Sequence, residues 1–186
     1  MNLNEEKILI HNYDETSQYG IINRINENVY NTLLNKYKII IEPIGTPILS
    51  RHQNKILINP FIINLYDLLY LQYLNVIKIK NNFDKFNNIF LTEKNSNKFK
   101  IYCDLKQKNF YIICGKKYGC DFLIYKNDPN FCHSDYLVKI INNNNEININ
   151  DIILNERISV NIRKKILFVF VVENQIKYIN FKWKQI

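Results

Sequence analysis

Three short apolar runs follow one another between residues 110 and 140: FYIIC at 110–114, DFLIY at 121–125 and DYLVKI at 135–140. Each is too short for a helix, is rich in β-branched and aromatic residues, and stops on a turn signal, so each reads as a strand. Gly115 ends the first. Asn127, Asp128 and Pro129 follow the second, where Asn and Asp tolerate turn geometry and Pro presets it. A polar loop at 142–145 follows the third. Residues 98–109 can form a helix before these strands. Residues 151–163 read as a helix after them, with Asp151 at its positive end. Residues 165–172 and 176–183 then form a closing hairpin across Glu173 and Asn174. A helix, a mostly antiparallel sheet and a second packed helix make an α+β or α/β domain.

The first half is patterned less sharply. Strands are expected at 7–13, 38–42, 55–59 and 75–80, a helix at 27–37, and a loop around Gly45, Pro47 and residues 51–54. Pro60 opens PFIINLYDLLYLQYL, whose apolar positions recur at helical spacing, and Pro suits a first helical turn. The Asn- and Lys-rich tract at 81–97 marks a boundary, although Phe83, Phe86 and Phe90 give part of it helical character. The expected organisation is a small α+β domain at 1–80, a linker at 81–97 and a second domain at 98–186.

Composition bounds the function only loosely. A 47% hydrophobic share over 186 residues is enough for a real core and argues against wholesale disorder. The crowding of Ile, Asn, Lys and Tyr follows A/T-rich codons and says nothing about function. A formal net charge of +8 attracts polyanions such as nucleic acid, and a solvated lysine-rich surface accounts for it equally well. Cys103, Cys114, Cys120 and Cys132 form no C-x-x-C pair and the chain has three histidines, so no metal site and no cofactor is expected. The polar N-terminus lacks a signal core, and no apolar run reaches spanning length. A soluble intracellular protein with reduced thiols is the expectation.

Chemistry can be assembled from Tyr125 at a strand end, His133 eight positions later and Lys164 thirty-one positions beyond that. Cleavage of RNA by its own 2′-hydroxyl needs a base, an acid for the departing 5′-oxygen and a cation beside the phosphorane. Imidazole titrates near neutrality, which suits His133 to the acid role. Lys164 can stabilise charge on the non-bridging oxygens. A phenol titrates near 10, so Tyr125 either orients the 2′-hydroxyl or acts as a base only beside a cation. Taken singly, each residue is more often structural: a half-buried tyrosine, a solvated loop histidine, a surface lysine.

The stretch YGCDFLIYKNDPNFCHSDYLVKI resembles the signature of the tRNA-intron endonucleases: a glycine lead-in (Tyr118-Gly119), a D-F-L-x-Y strand, a G/N-D-P turn (Asn127 stands where Gly is common) and H-S/A-x-Y/F at His133 to Tyr136. Upstream, CDLKQKNFYIICGKKYG is similar to the family's helix, strand and glycine turn. Downstream, ERISVNIRKKILFVFVV is similar to its R-x-x-x-x-x-R-K segment, carried by Arg157, Arg163 and Lys164. The resemblance covers about residues 98–186. It implies a nuclease domain with a central mixed sheet flanked by helices, and catalytic roles for Tyr125, His133 and Lys164. It also implies that Arg157 and Trp183 bind RNA by sandwiching a flipped intron base.

The segment IGTPILSRHQNKILINPFIINLYDLLYL and the compact spacing from His133 to Lys164 look most like the eukaryotic subunit that cleaves the 3′ splice site. The resemblance implies an intron-containing pre-tRNA as partner RNA, metal-independent transesterification to 2′,3′-cyclic phosphate and 5′-hydroxyl ends, and a nuclear location. It further implies a heterotetramer with one further catalytic and two structural subunits, to which the apolar edge of 165–183 would pair. The rival readings are a noncatalytic structural subunit of such an assembly, an RNA-binding module that does not cleave, and a homo-oligomeric enzyme of archaeal type.

Overall fold

The computed structural model describes residues 7–45, 60–141 and 148–180. The chain divides into two compact units, Met1–Phe99 and Lys100–Ile186.

In the first unit, β1 (Ile8–Asp14) and β2 (Tyr19–Ile22) form an antiparallel hairpin. Helix α1 (Glu27–Asn31) is capped by the Asn26 side chain, which accepts from the Val29 amide at 2.8 Å, and it runs on as a wider turn through Thr32–Lys36. Then come β3 (Glu42–Pro43), β4 (Phe61–Asn64), α2 (Leu65–Tyr73), β5 (Ile77–Asn81) and α3 (Phe83–Glu93). The sheet order is β3-β4-β2-β1-β5, antiparallel except for β1 beside β5. Ile10, Tyr13, Ile63, Leu68 and Leu69 are fully buried, and the Tyr13 ring meets Phe86 of α3 edge-on at 5.3 Å.

Two expectations need correction here. The helix expected from Pro60 begins only at Leu65, because Phe61–Asn64 is a strand paired on both sides, with β2 and with β3. Pairing on both edges outweighs a helical spacing that so short a β-branched run also satisfies. The strand expected at 38–42 shrinks to Glu42–Pro43: Lys38 takes φ +55 and the Ile39 amide bonds back to the Leu33 carbonyl at 2.8 Å, which finishes the helix. Ile39 and Ile41 are still buried, so their alternation reports burial without a ladder. Strand β2 had no counterpart in the sequence reading. The expected strand at 55–59 lies outside the described residues, as does the loop at 142–145.

The second unit follows its sequence pattern closely. It comprises α4 (Asn97–Gln107), β6 (Tyr111–Cys114), a single 3₁₀ turn (Lys116–Tyr118), β7 (Phe122–Tyr125), β8 (Tyr136–Ile140), α5 (Ile149–Asn161), β9 (Lys165–Val172) and β10 (Gln175–Asn180). The sheet order is β10-β9-β8-β7-β6. All neighbours are antiparallel except β8 and β9, so the sheet is mixed. A parallel pair cannot be joined by a tight turn, and α5 is the crossover that joins this one. The two-residue turn of the last hairpin has Glu173 at φ +50 and Asn174 at φ +62, the primed geometry that suits strand twist. Asp104 of α4 accepts hydrogen bonds from Tyr178 of β10 and from Lys108, tying the helix to the edge strand. Burial and that carboxylate push the Tyr178 phenol far above its ordinary range.

The turn from β6 to β7 depends on two glycines. Gly119 takes φ +69 at the end of the 3₁₀ turn. A Cβ on Gly115 would lie 2.4 Å from Cys120 Sγ, 2.9 Å from the Phe122 amide nitrogen and 3.0 Å from the Cys120 carbonyl. Two of those three neighbours are backbone and cannot swing away. Gly115→Ala is therefore expected to cost about 1–3 kcal/mol in denaturant unfolding of the second unit. An unchanged midpoint would show that the close approach does not exist.

Candidate active site

Strand direction collects the site. Ile124 pairs with Tyr136 across β7 and β8, and Tyr136 pairs with Lys165 across β8 and β9. Since β7 is antiparallel to β8 and β9 is parallel to it, the C-terminal end of β7 and the N-terminal ends of β8 and β9 meet on one side of the sheet. Tyr125 is the last residue of β7. His133 to Asp135 lead into β8, and Lys164 immediately precedes β9. The three residues singled out in the sequence thus share one end of three adjacent strands.

Ser134 links them. Lys164 Nζ donates to the Ser134 carbonyl at 3.3 Å. The Ser134 side chain is buried, 7% exposed, and its hydroxyl has no hydrogen-bond partner among the described residues. Its influence on the Tyr125 phenol is to lower the pKa. Tyr125 also packs on the cluster of Cys120, Leu123, Leu137, Ile166 and Phe168. Burial outweighs the serine's influence, so the phenol titrates above its ordinary value near 10 and stays protonated at neutral pH.

Lys164 is placed by the way α5 ends. The Lys164 amide bonds to the Ser159 carbonyl at 2.8 Å and the Arg163 amide to the Val160 carbonyl at 3.0 Å, with Arg163 at φ +55 in the left-handed position that closes a helix. The chain enters β9 at the next residue. On the other side, Asp135 fixes the end of β7: its amide donates to the Ile124 carbonyl at 2.9 Å and its carboxylate accepts from the Lys126 amide at 2.9 Å.

The loop between Tyr125 and His133 is pinned internally. The Asp128 carboxylate accepts from the Asn130 amide at 2.8 Å and from the Asn130 side chain at 2.9 Å, and the Asp128 carbonyl accepts from the Phe131 amide at 3.0 Å. The Cys132 thiol reaches the carbonyls of Asn127 and Asp128 at 3.3 and 3.2 Å. His133 follows, exposed to solvent.

Arg157 is exposed on α5. Trp183 lies outside the described residues. Sequence reasoning passed over Ser134, which appeared only as one letter of a motif. No signal marks a serine whose importance comes from the strand ends on either side of it. Among the described residues no group of three or more His, Cys, Asp or Glu converges, and no helix is long and apolar enough to cross a membrane.

The influence of Ser134 on Tyr125 has a measurable consequence. Ser134→Ala should move the Tyr125 titration midpoint further up, because the only hydrogen-bonding influence that lowers it is gone, while changing stability little. Tyrosine ring carbon chemical shifts followed against pH, with Tyr125→Phe to identify the signal, read this directly. A downward move would contradict that influence.

The sequence profile of the tRNA intron endonuclease catalytic C-terminal domain matches residues 95–178. A tRNA-splicing endonuclease from Sulfolobus acidocaldarius is 33% identical over 133 residues, covering 67% of this chain and 74% of that protein. One from Sulfurisphaera tokodaii is 36% identical over 87 residues, and one from Saccharolobus islandicus is 32% identical over 87 residues. In these two cases the match covers 46% of this chain and 48% of the relative, so the chain spans about half the length of those proteins.

Proposed function

Because the chain belongs to the tRNA-splicing endonuclease family, we propose that it is a catalytic subunit that cuts intron-containing pre-tRNA at the 3′ splice site without a metal ion. The products are a 2′,3′-cyclic phosphate and a 5′-hydroxyl. The observation that carries this reading is the convergence of Tyr125, His133 and Lys164 at one end of β7, β8 and β9, with Lys164 held on the Ser134 carbonyl.

In the proposed reaction the 2′-hydroxyl gives its proton to solvent water as its oxygen bonds to phosphorus. The bond to the 5′-oxygen breaks, and that oxygen takes up a proton. His133, exposed at the rim, donates this proton to the departing oxygen. Lys164, held by one hydrogen bond to a carbonyl, keeps further N–H groups for the non-bridging oxygens as their charge grows. Tyr125 is a protonated phenol, and in that form it orients the 2′-hydroxyl for in-line attack. Arg157, with Trp183, would sandwich a flipped intron base.

The catalytic domain in this reading is residues 98–186, after an N-terminal domain at 1–80 and a linker at 81–97. The 3′-site assignment rests on the thirty-one-residue spacing from His133 to Lys164. Among the described residues β10 is an edge strand, which supports pairing with another chain; the assembly in this reading is a heterotetramer with one further catalytic and two structural subunits, working in the nucleus. A homo-oligomeric assembly is the second reading, favoured by the archaeal origin of the relatives.

The test is cleavage of an intron-containing pre-tRNA in EDTA by the chain with its partner subunits. His133→Ala should slow the cut by about 10²–10⁴-fold and Lys164→Ala by about 10²–10³-fold. Binding without cleavage in every assembly would leave an RNA-binding module or a structural subunit instead. An unchanged rate in Lys164→Ala would remove that residue from the mechanism.

A further inference from the structure

Phe131 is 89% exposed, the most exposed large apolar side chain among the described residues. Scattered surface hydrophobics are ordinary, but two things set this one apart. The first is rigidity. Its amide is bonded to the Asp128 carbonyl, and the flanking Asn130 and Cys132 are tied to Asp128 by further hydrogen bonds. The loop backbone that carries the ring is therefore tied at three successive residues, and the ring itself stands in solvent. The second is place. Phe131 is two residues before His133, at most about 7 Å of chain. Any phosphate within reach of His133 thus has its neighbouring nucleotides within reach of the ring.

The surroundings of the ring decide what it would meet. Lys126, Asn127, Asn130 and His133 are exposed polar or basic neighbours in the loop, so the ring is a single flat apolar face in a polar setting. A protein partner would need a contiguous apolar patch. An unpaired nucleobase needs only a flat face, with polar groups around it for sugar and phosphate. We infer that Phe131 is a stacking platform for an unpaired base next to the scissile phosphate. It is a positioning residue that sets which nucleotide lies in line with His133, and its role rests on the reading of this strand end as an RNA-cleaving site.

The test separates the two. The full chain in its active assembly carries His133→Ala, so that binding is read without cleavage. RNA containing the splice junction is made with the natural base or an abasic residue at each nucleotide flanking the cut in turn. Phe131→Ala should weaken binding of the natural RNA by about five- to one-hundred-fold. It should leave binding unchanged at the one position where the base is already missing. Phe131→Trp should restore affinity, and Phe131→Leu, apolar but without a π face, should not. Equal weakening at every abasic position, or full rescue by Leu, would overturn the stacking role. If the unsubstituted assembly fails to cut but the base dependence appears, the endonuclease reading fails and the platform stands. The reverse pattern leaves the endonuclease and removes the platform.

Discussion

Everything at the candidate site depends on the parallel pairing of β8 with β9. With β7 antiparallel to β8, that single parallel step puts the end of one strand and the starts of two others on the same side. Had β9 run the other way, Lys164 would lie at the far end of an eight-residue strand, Lys165–Val172, away from His133. The parallel step also demands a long crossover. Helix α5 serves as that crossover, and its left-handed closing residue Arg163 delivers the chain straight into β9.

Around this alignment, the buried and exposed parts are distributed unevenly. The Tyr125 ring packs on the core, and burial raises its phenol above the ordinary value. Lys164 is anchored to a backbone carbonyl. His133 alone stands at the end of an internally bonded loop with its side chain in solvent. Such a division suits a reaction in which two groups must hold a phosphate and a nucleophile still while the third meets a departing chain. The pinned loop gives the exposed histidine and Phe131 a common frame.

The strand pattern of the second unit was legible because β6, β7 and β8 are short apolar runs set off by Gly115, Asn127-Asp128-Pro129 and a polar loop, so local preference and tertiary pairing agree. The same local reading failed at Phe61–Asn64, where helical spacing and β-branching point in different directions and pairing with two neighbours decides. It failed again after Lys38, where a positive φ and a carbonyl bond finish a helix instead of starting a strand. Nothing local announced that Ser134 would matter, since its carbonyl holds a lysine thirty positions further on.

The sequence by itself determined the family, through the run from Tyr118 to Ile140 and the Arg157, Arg163 and Lys164 segment, and it singled out Tyr125, His133 and Lys164. It also determined most elements of the second unit, because turn residues and short apolar runs act within a few positions. Only the tertiary structure decided that the three residues share one strand end, that Lys164 is held on the Ser134 carbonyl, and that burial raises the Tyr125 phenol further. Those are consequences of strand direction and burial, which arise from pairing between distant segments and leave no mark on any single stretch of chain.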